Sequence, residues 1–422
     1  MRQILMISYS YPPLMEAQSI RWAHLSKELI KKGNQLDVLT IKLPSYYGDG
    51  LYLVRGASIH RTYPGPVQGL FFRTKATLRV EDKSYQEKRD SLPHQFLRGC
   101  YDALRKFMNL VLIPDLRTEW FPFAVPGLLQ LMNKKQYDIV ISSHEPGVDH
   151  LLGFVAKALY KTYWIGDFSD PMVTFYTPKV RQPIDKRIQG ILLKKMDRIL
   201  VTNQRLKENF LAQYPSLTRD RITVLTQGFD DEFWKGMEVT RTYRKKLRLV
   251  YTGTFYRKER DPSELFRALS QIQEEEIELI IAGRNDDFVA DAKRLGLLAN
   301  KVTFLGYLRY EDSIRVQNEG DVLVHIGNQS PNQVPGKVYE YLGARKPILA
   351  IFKNPNDESK DLILRLDRGV VTPDESLKIK DTLLFLLYLF QKEKLYSSFN
   401  LSLEEVCQYS WSSLSNLLVS AD

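Results

Sequence analysis

Short apolar runs alternate with helix-length amphipathic stretches along nearly the whole chain, and this alternation limits the folds open to it. In the first half the runs fall at 4–8, 36–41, 139–142, 163–167, 198–201 and 222–225. In the second half they fall at 247–252, 277–282, 302–305, 322–326 and 348–351. Between the first two, residues 19–32 carry Ile20, Trp22, Ala23, Leu25, Leu29 and Ile30 near helical spacing, and Gly33 follows as a stop signal. Strand, turn, helix, glycine, strand is a βαβ unit. Its repetition predicts α/β architecture with mostly parallel, doubly wound sheets and helices on both faces. A chain of 422 residues is too long for one core and suits two such domains.

The rhythm breaks from about 44 to 122, a segment rich in Pro, Gly, Tyr and charge that reads as loops and one or two helices inserted into the first domain. It restarts after the basic run at 241–246, so the polar stretch 231–246 reads as the link. The expected domains are 1–235 and 236–400, with a last helix in 401–422 returning to the first. Two doubly wound domains place a cleft between the carboxyl edges of their sheets, where loop amides and helix starts converge on ligands. No tandem repeat of solenoid period is present.

The formal net charge is +10. Basic residues are dense between Arg73 and Arg105 and alternate with Phe71, Phe72, Leu97, Leu104 and Phe107. That pattern suits a surface resting on anionic lipid headgroups, and it equally suits a solvated basic face. No finger, basic zipper or RRM-type aromatic pattern accompanies the charge, so nucleic acid is not the expected partner. Cys100 and Cys407 match no metal-ligand spacing and suit a reducing, cytoplasmic setting. The apolar start at 4–7 is followed by Pro12 and Pro13 and reads as a strand, not a leader. No run approaches the ~20 apolar residues of a membrane span.

The sharpest chemistry lies at 328–350. A buried strand feeds a loop containing Pro335 and Gly336, a short helix opens near Lys337, and Pro347 begins the next strand. Amides of Gly336, Lys337 and Val338 would face an anion, and the Lys337 ammonium would add charge. Glu340, one turn on, is placed to accept hydrogen bonds from vicinal hydroxyls such as those of ribose. Spacing alone equally describes a plain helix start with a surface lysine and glutamate. A Walker A loop is excluded, because Pro331 stands where its first glycine belongs.

This segment resembles the signature of glycosyltransferase family 4, in which a glutamate pair eight positions apart precedes a Gly-Lys-Pro-Val/Ile stop. The resemblance implies a GT-B fold with two Rossmann-like domains, and a bacterial surface-polysaccharide branch. Glu340 matches the second, ribose-binding glutamate. The first falls on Asn332 and the usual stop glycine on Arg345, two departures. At 249–262, Gly253 and Thr254 precede a basic cluster similar to the family's Gly followed by an Arg/Lys pair. By that likeness Arg260 or Lys258 neutralises the leaving diphosphate, with Arg257 as a further candidate. Gly283 and Arg284, and Tyr307 and Leu308 after Gly306, resemble its nucleobase loops.

In the first half, residues 8–21 resemble the family's first loop without its glycine pair. Glu16 and Ala17 stand near that position, and Arg21 follows. His144 and Glu145 end one strand; Asp167 and Asp170 end the next, in an element similar to Asp-x-Arg-Asp-Pro with Ser169 at the arginine. Asp170 or His144 is the candidate base for an acceptor hydroxyl. A loop histidine bonded to backbone and a buried structural Asp167 are the plainer readings. Glu16, Ala17, Arg21, Glu145 and Asp167 are the expected sugar or acceptor contacts. The two aspartates do not form the Asp-x-Asp pair of metal-dependent transferases, so neither metal nor other cofactor is expected.

The resemblance implies retaining transfer of a sugar from a nucleotide diphosphate sugar, with UDP-sugar the leading donor, to a sugar or lipid-linked saccharide. The pathway implied is surface polysaccharide or lipopolysaccharide synthesis, and the basic-apolar segment adds the expectation of a lipid-linked acceptor at the inner membrane face. A sugar-nucleotide 2-epimerase of the same fold and a catalytically degenerate scaffold partner are the alternatives.

Overall fold

The computed structural model describes residues 1–14, 16–44, 54–72, 108, 111–173, 177–237, 245–273, 276–298, 300–329 and 334–419. The basic stretch expected between Arg73 and Arg105, and Asn332, lie outside the described residues. The chain forms two compact units, Met1–Thr226 together with the chain from Leu417, and Gln227–Asn416. The division therefore falls before the boundary expected at 235/236. Burial explains the difference: Phe229 and Trp234 sit at 1% exposure in the second unit's core with Val338, Tyr341 and Leu342.

The first unit runs β1 (Gln3–Ile7), α1 (Ala17–Lys31), β2 (Gln35–Ile41), β3 (Ala57–Thr62), α2 (Phe121–Lys134), β4 (Ile139–His144), α3 (Val148–Tyr160), β5 (Tyr163–Phe168), α4 (Gln182–Lys195), β6 (Arg198–Val201), α5 (Gln204–Gln213) and β7 (Ile222–Val224). Its seven strands lie in the order β3-β2-β1-β4-β5-β6-β7, all pairs parallel. Helices on both faces bury β1 and β4 almost completely, which is why they read as unbroken apolar runs. Edge strand β3 holds only half-buried and exposed residues and has no such run.

The second unit runs α6 (Asp231–Lys235), β8 (Leu247–Thr252), α7 (Ser263–Gln271), β9 (Ile277–Ala282), α8 (Asp286–Arg294), β10 (Val302–Gly306), α9 (Tyr310–Glu319), β11 (Val322–Ile326), α10 (Lys337–Gly343), β12 (Ile348–Phe352), α11 (Glu358–Arg365), β13 (Gly369–Pro373) and α12 (Ser376–Gln391); α13 (Trp411–Val419) begins in this unit and its end is counted with the first. Its parallel sheet has the order β10-β9-β8-β11-β12-β13. In each sheet the order reverses once, between β1 and β4 and between β8 and β11. Such a reversal opens a crevice at the strands' carboxyl ends. Arg345, at the family's glycine position, takes a φ of 53°. Its guanidinium donates to the Trp234 and Met237 carbonyls at 3.1 and 2.5 Å, which ties the strained turn to the unit's first segment. Among the described residues no helix is long and apolar enough to cross a membrane.

Candidate functional site

At the carboxyl ends of β8, β9 and β10 the chain turns through Gly253, Gly283 and Gly306. The Gly253 amide donates to the Ala282 carbonyl at 2.8 Å and the Gly283 amide to the Gly306 carbonyl at 2.7 Å, so the three ends step side by side. Gly283 has a φ of 145°, and a Cβ there would lie 1.9 Å from the Gly253 carbonyl oxygen. Only a hydrogen fits. Asn285 locks the step, donating to the Gly253 carbonyl at 2.9 Å and accepting from the Phe255 amide at 2.8 Å. Thr254 follows on this bare backbone shelf, directly beside the β8/β11 reversal. Asn285 carries no motif, and nothing in the sequence singled it out.

The basic cluster after this shelf is sorted by its contacts. Tyr256 and Arg260 exchange backbone hydrogen bonds of 3.1 and 2.8 Å and close a tight hairpin. Arg257 pairs with Asp291 at 2.6 Å and lies 4.2 Å from the Phe288 ring centre. It braces α8, which corrects its candidacy as a phosphate cation. Lys258 is exposed near the hairpin tip. Arg260 packs 5.2 Å over the Tyr256 ring, and its Nε is buried with no hydrogen-bond partner among the described residues.

Across the reversal, α10 presents Lys337 and Glu340. The Lys337 Nζ lies 2.6 Å from Glu340 Oε1, and Glu340 is 8% exposed. Gln317, wholly buried on α9, donates from Nε2 to the same Glu340 oxygen at 2.5 Å and to Thr252 Oγ1 at 3.0 Å. Glu340 is thus a positioned carboxylate, tied through Gln317 to the end of β8. The Val338 amide donates to the Pro335 carbonyl at 3.1 Å, so it is not one of the anion-facing amides expected. Arg284 stacks 5.1 Å from the Tyr307 ring centre, Tyr307 is 55% exposed, and Leu308 beside it is half-buried. The arrangement offers a flat platform, a cation, a carboxylate and open backbone at one sheet edge.

His325, in β11, bonds to Ser359 Oγ at 2.8 Å, and the Asp357 side chain caps α11 through the Ser359 amide at 2.8 Å. Burial pushes the His325 pKa down to about 4; Asp357 opposes the shift and Arg260 adds to it. The folded state therefore binds fewer protons than the unfolded state between about pH 4 and 6.5, and stability falls as pH drops through that window. We expect about 2 kcal/mol of the second unit's stability to be lost from this group between pH 8 and pH 5. Denaturant titrations at the two pH values check it: His325→Asn should flatten the difference, and an unchanged slope would contradict the assignment.

In the first unit a cavity of about 400 Å³ is lined by residues that include Phe71, Asp115, Arg117, His144, Glu145 and Arg181. Asp115 is held by the Gly147 and Arg117 amides at 2.7 and 2.8 Å, and burial pushes its pKa up. Arg117 lies 3.8 Å from Glu16, whose other oxygen accepts from Ser10 Oγ at 2.7 Å. Burial disfavours the Arg117 charge, but Glu16, Asp115, Tyr9 and Glu145 outweigh it and raise its pKa. His144 is 4% exposed, stacks 5.8 Å from His150, and has no partner for Nδ1 among the described residues. Asp170 is half-buried and does not line this cavity. Ala17 opens α1 as an exposed residue. Asp115, Arg117 and Arg181 were not legible as site residues, because no motif surrounds them.

Arg21 and Asp167 require correction. Both are fully buried and form an ion pair of 3.2 Å. Arg21 also donates to the Leu225 and Thr226 carbonyls at 2.7 and 2.5 Å, and Asp167 accepts from Trp22 Nε1 at 2.9 Å. No surface is left on either to touch a sugar. They lock α1 to β5 and to the end of the unit's last strand.

Residues 246–387, which hold the shelf, Arg260 and the Lys337–Glu340 pair, match the family model "Glycosyl transferases group 1". No curated protein matches the chain. Among solved structures, Anabaena Alr3699/HepE in complex with UDP and glucose is similar at TM-score 0.66 and 13% identity, over 99% of this chain and 98% of that one. Sucrose-phosphate synthase from Thermosynechococcus elongatus is similar at 0.68 and 14%, over 99% and 97%. The apo lipopolysaccharide outer core galactosyltransferase WaaB is similar at 0.58 and 13%, over 99% and 98%. The fold is that of the GT-B glycosyltransferases. Within it, the stretch matched by the model carries the shelf at the β8/β11 reversal.

Proposed function

We propose that the protein transfers a sugar from UDP-sugar to a hydroxyl acceptor, with retention at the anomeric carbon and without metal or other cofactor. The observation that carries this reading is the Lys337–Glu340 pair beside the glycine shelf, inside the stretch matched by the group 1 model. In it, Lys337, Arg260, Lys258 and the amides at Thr254, Gly336 and Lys337 stabilise the departing diphosphate beside the Gly253 turn. Glu340, held by Gln317, takes the ribose hydroxyls, and Arg284 with Tyr307 and Leu308 flanks the base. His144 and Glu145, with Arg117 and Glu16, hold the acceptor hydroxyl in the first unit's cavity. Support for UDP comes from HepE, solved with UDP and glucose, and support for a surface-polysaccharide or lipopolysaccharide acceptor from WaaB. A cytoplasmic setting fits a nucleotide-sugar donor.

A donor screen that reads nucleotide release tests this. Release from a UDP-sugar that requires a saccharide acceptor and survives a chelator is expected. Conversion of UDP-N-acetylglucosamine with no acceptor would assign an epimerase instead, and silence with every donor a scaffold.

A further inference from the structure

We propose that the outer face of α4 is a docking surface for an anionic lipid bilayer. Val180, Ile184 and Ile191 are 75%, 48% and 48% exposed. At 100° per residue they fall within one narrow stripe along the helix and its lead-in. Lys179, Lys186, Arg187, Lys194 and Lys195 are exposed around that stripe. The one carboxylate between 178 and 195, Asp185, has a fully buried side chain and is paired inward with Arg181 at 2.8 Å. The outward face therefore holds five cations, three aliphatic side chains and no acid.

The inner face explains why this polarity is inverted. Leu192 and Leu193 fill the core, and Gln189 and Asp185 are buried beneath the helix, so the aliphatic residues outside are not needed for folding. A helix built only to cover a sheet would present polar residues to water along this stripe. Aliphatic groups ringed by lysine and arginine instead match a headgroup layer, where apolar side chains enter the acyl boundary and cations meet lipid phosphates. Charge complementarity selects an anionic bilayer over a neutral one.

The surface adjoins the cavity. Thr177, Pro178 and Arg181, immediately before α4, form part of its wall. Arg181 donates to the Leu112 carbonyl at 3.2 Å and to the Pro114 carbonyl, tying that segment, with Val111 56% exposed, to the start of the helix. A bilayer on α4 would bring a lipid-borne headgroup to His144 and Glu145. The contact itself does not depend on the transferase reading; its use in acceptor delivery does.

The test is co-flotation of the full chain with vesicles of phosphatidylglycerol and phosphatidylcholine in equal parts, against phosphatidylcholine alone. Binding to the anionic vesicles is expected to fall roughly tenfold or more in Ile184→Ser/Ile191→Ser and in Arg187→Ser/Lys194→Ser/Lys195→Ser. Lys378→Ser/Lys392→Ser/Lys394→Ser, the same charge change on the second unit, should float as wild type does. Ile184→Trp should shift its fluorescence to the blue on addition of anionic vesicles. Wild type that does not float, α4 variants that float normally, or an Ile184→Trp variant whose emission does not move would each overturn the proposal. A dimer abolished by Ile184→Ser without vesicle binding would assign the face to a second copy and overturn it too. UDP binding is read separately, so failure here leaves the donor site standing.

Discussion

Asp167→Ala is expected to destabilise the first unit by about 3–5 kcal/mol, a large share of the roughly 5–15 kcal/mol that holds a typical domain folded. The cost comes from what is left behind. The Arg21 guanidinium would remain buried with its counter-charge gone, and the donors of Gln18 and Trp22, each 2.9 Å from Asp167 Oδ2, would lose their acceptor. Two backbone carbonyls still bind Arg21, but they do not neutralise it. Asp167→Asn keeps shape and an acceptor oxygen, so its loss should be clearly smaller. Denaturant unfolding followed by tryptophan fluorescence reads both variants. A change below about 1 kcal/mol for the alanine variant would mean that water or rearrangement rescues the charge.

Gly283→Ala is expected to cost the second unit about 3 kcal/mol or more and to abolish nucleotide binding together with it. The added methyl would sit 1.9 Å from the Gly253 carbonyl oxygen, and an L residue at φ 145° is strained wherever its Cβ points. Neither neighbour yields easily, because Gly253 is fixed by Ala282 and by Asn285. Gly306 provides the contrast: its φ is 69°, and nothing lies within 4 Å of a Cβ there. Gly306→Ala should therefore cost only about 1 kcal/mol, the usual left-handed penalty. Thermal unfolding of the two variants side by side checks the pair, and equal effects would contradict the close approach.

These two sites also show how far sequence reasoning reaches. Strands buried on both faces, such as β4 and β11, announce themselves as apolar runs. β3 does not, because none of its residues is buried at the sheet edge, and β13 is a short Gly-Val-Val-Thr-Pro stretch in which only Thr372 is buried. Lys337 and Glu340 are legible as a pair because one helical turn joins them. Gln317, which aims Glu340, is invisible because it arrives from another helix. Asp167 at a strand end reads as a ligand-binding carboxylate until its partner, far away in sequence at Arg21, is known. Local periodicity predicts elements and pairs within them; contacts between elements decide which polar residue serves the fold and which serves a ligand.

The central claim is that Lys337 and Glu340 of the second unit bind the donor's nucleotide, and titration calorimetry of UDP tests it most directly. Glu340→Ala and Lys337→Ala should each weaken UDP roughly 10- to 100-fold, the range for charge-assisted hydrogen bonds. Gln317→Leu should follow Glu340→Ala for UDP while leaving the 2′,3′-dideoxy analogue's affinity at its wild-type value. Wild-type affinity for UDP in both the Glu340 and Lys337 variants, with their folding intact, would contradict the account.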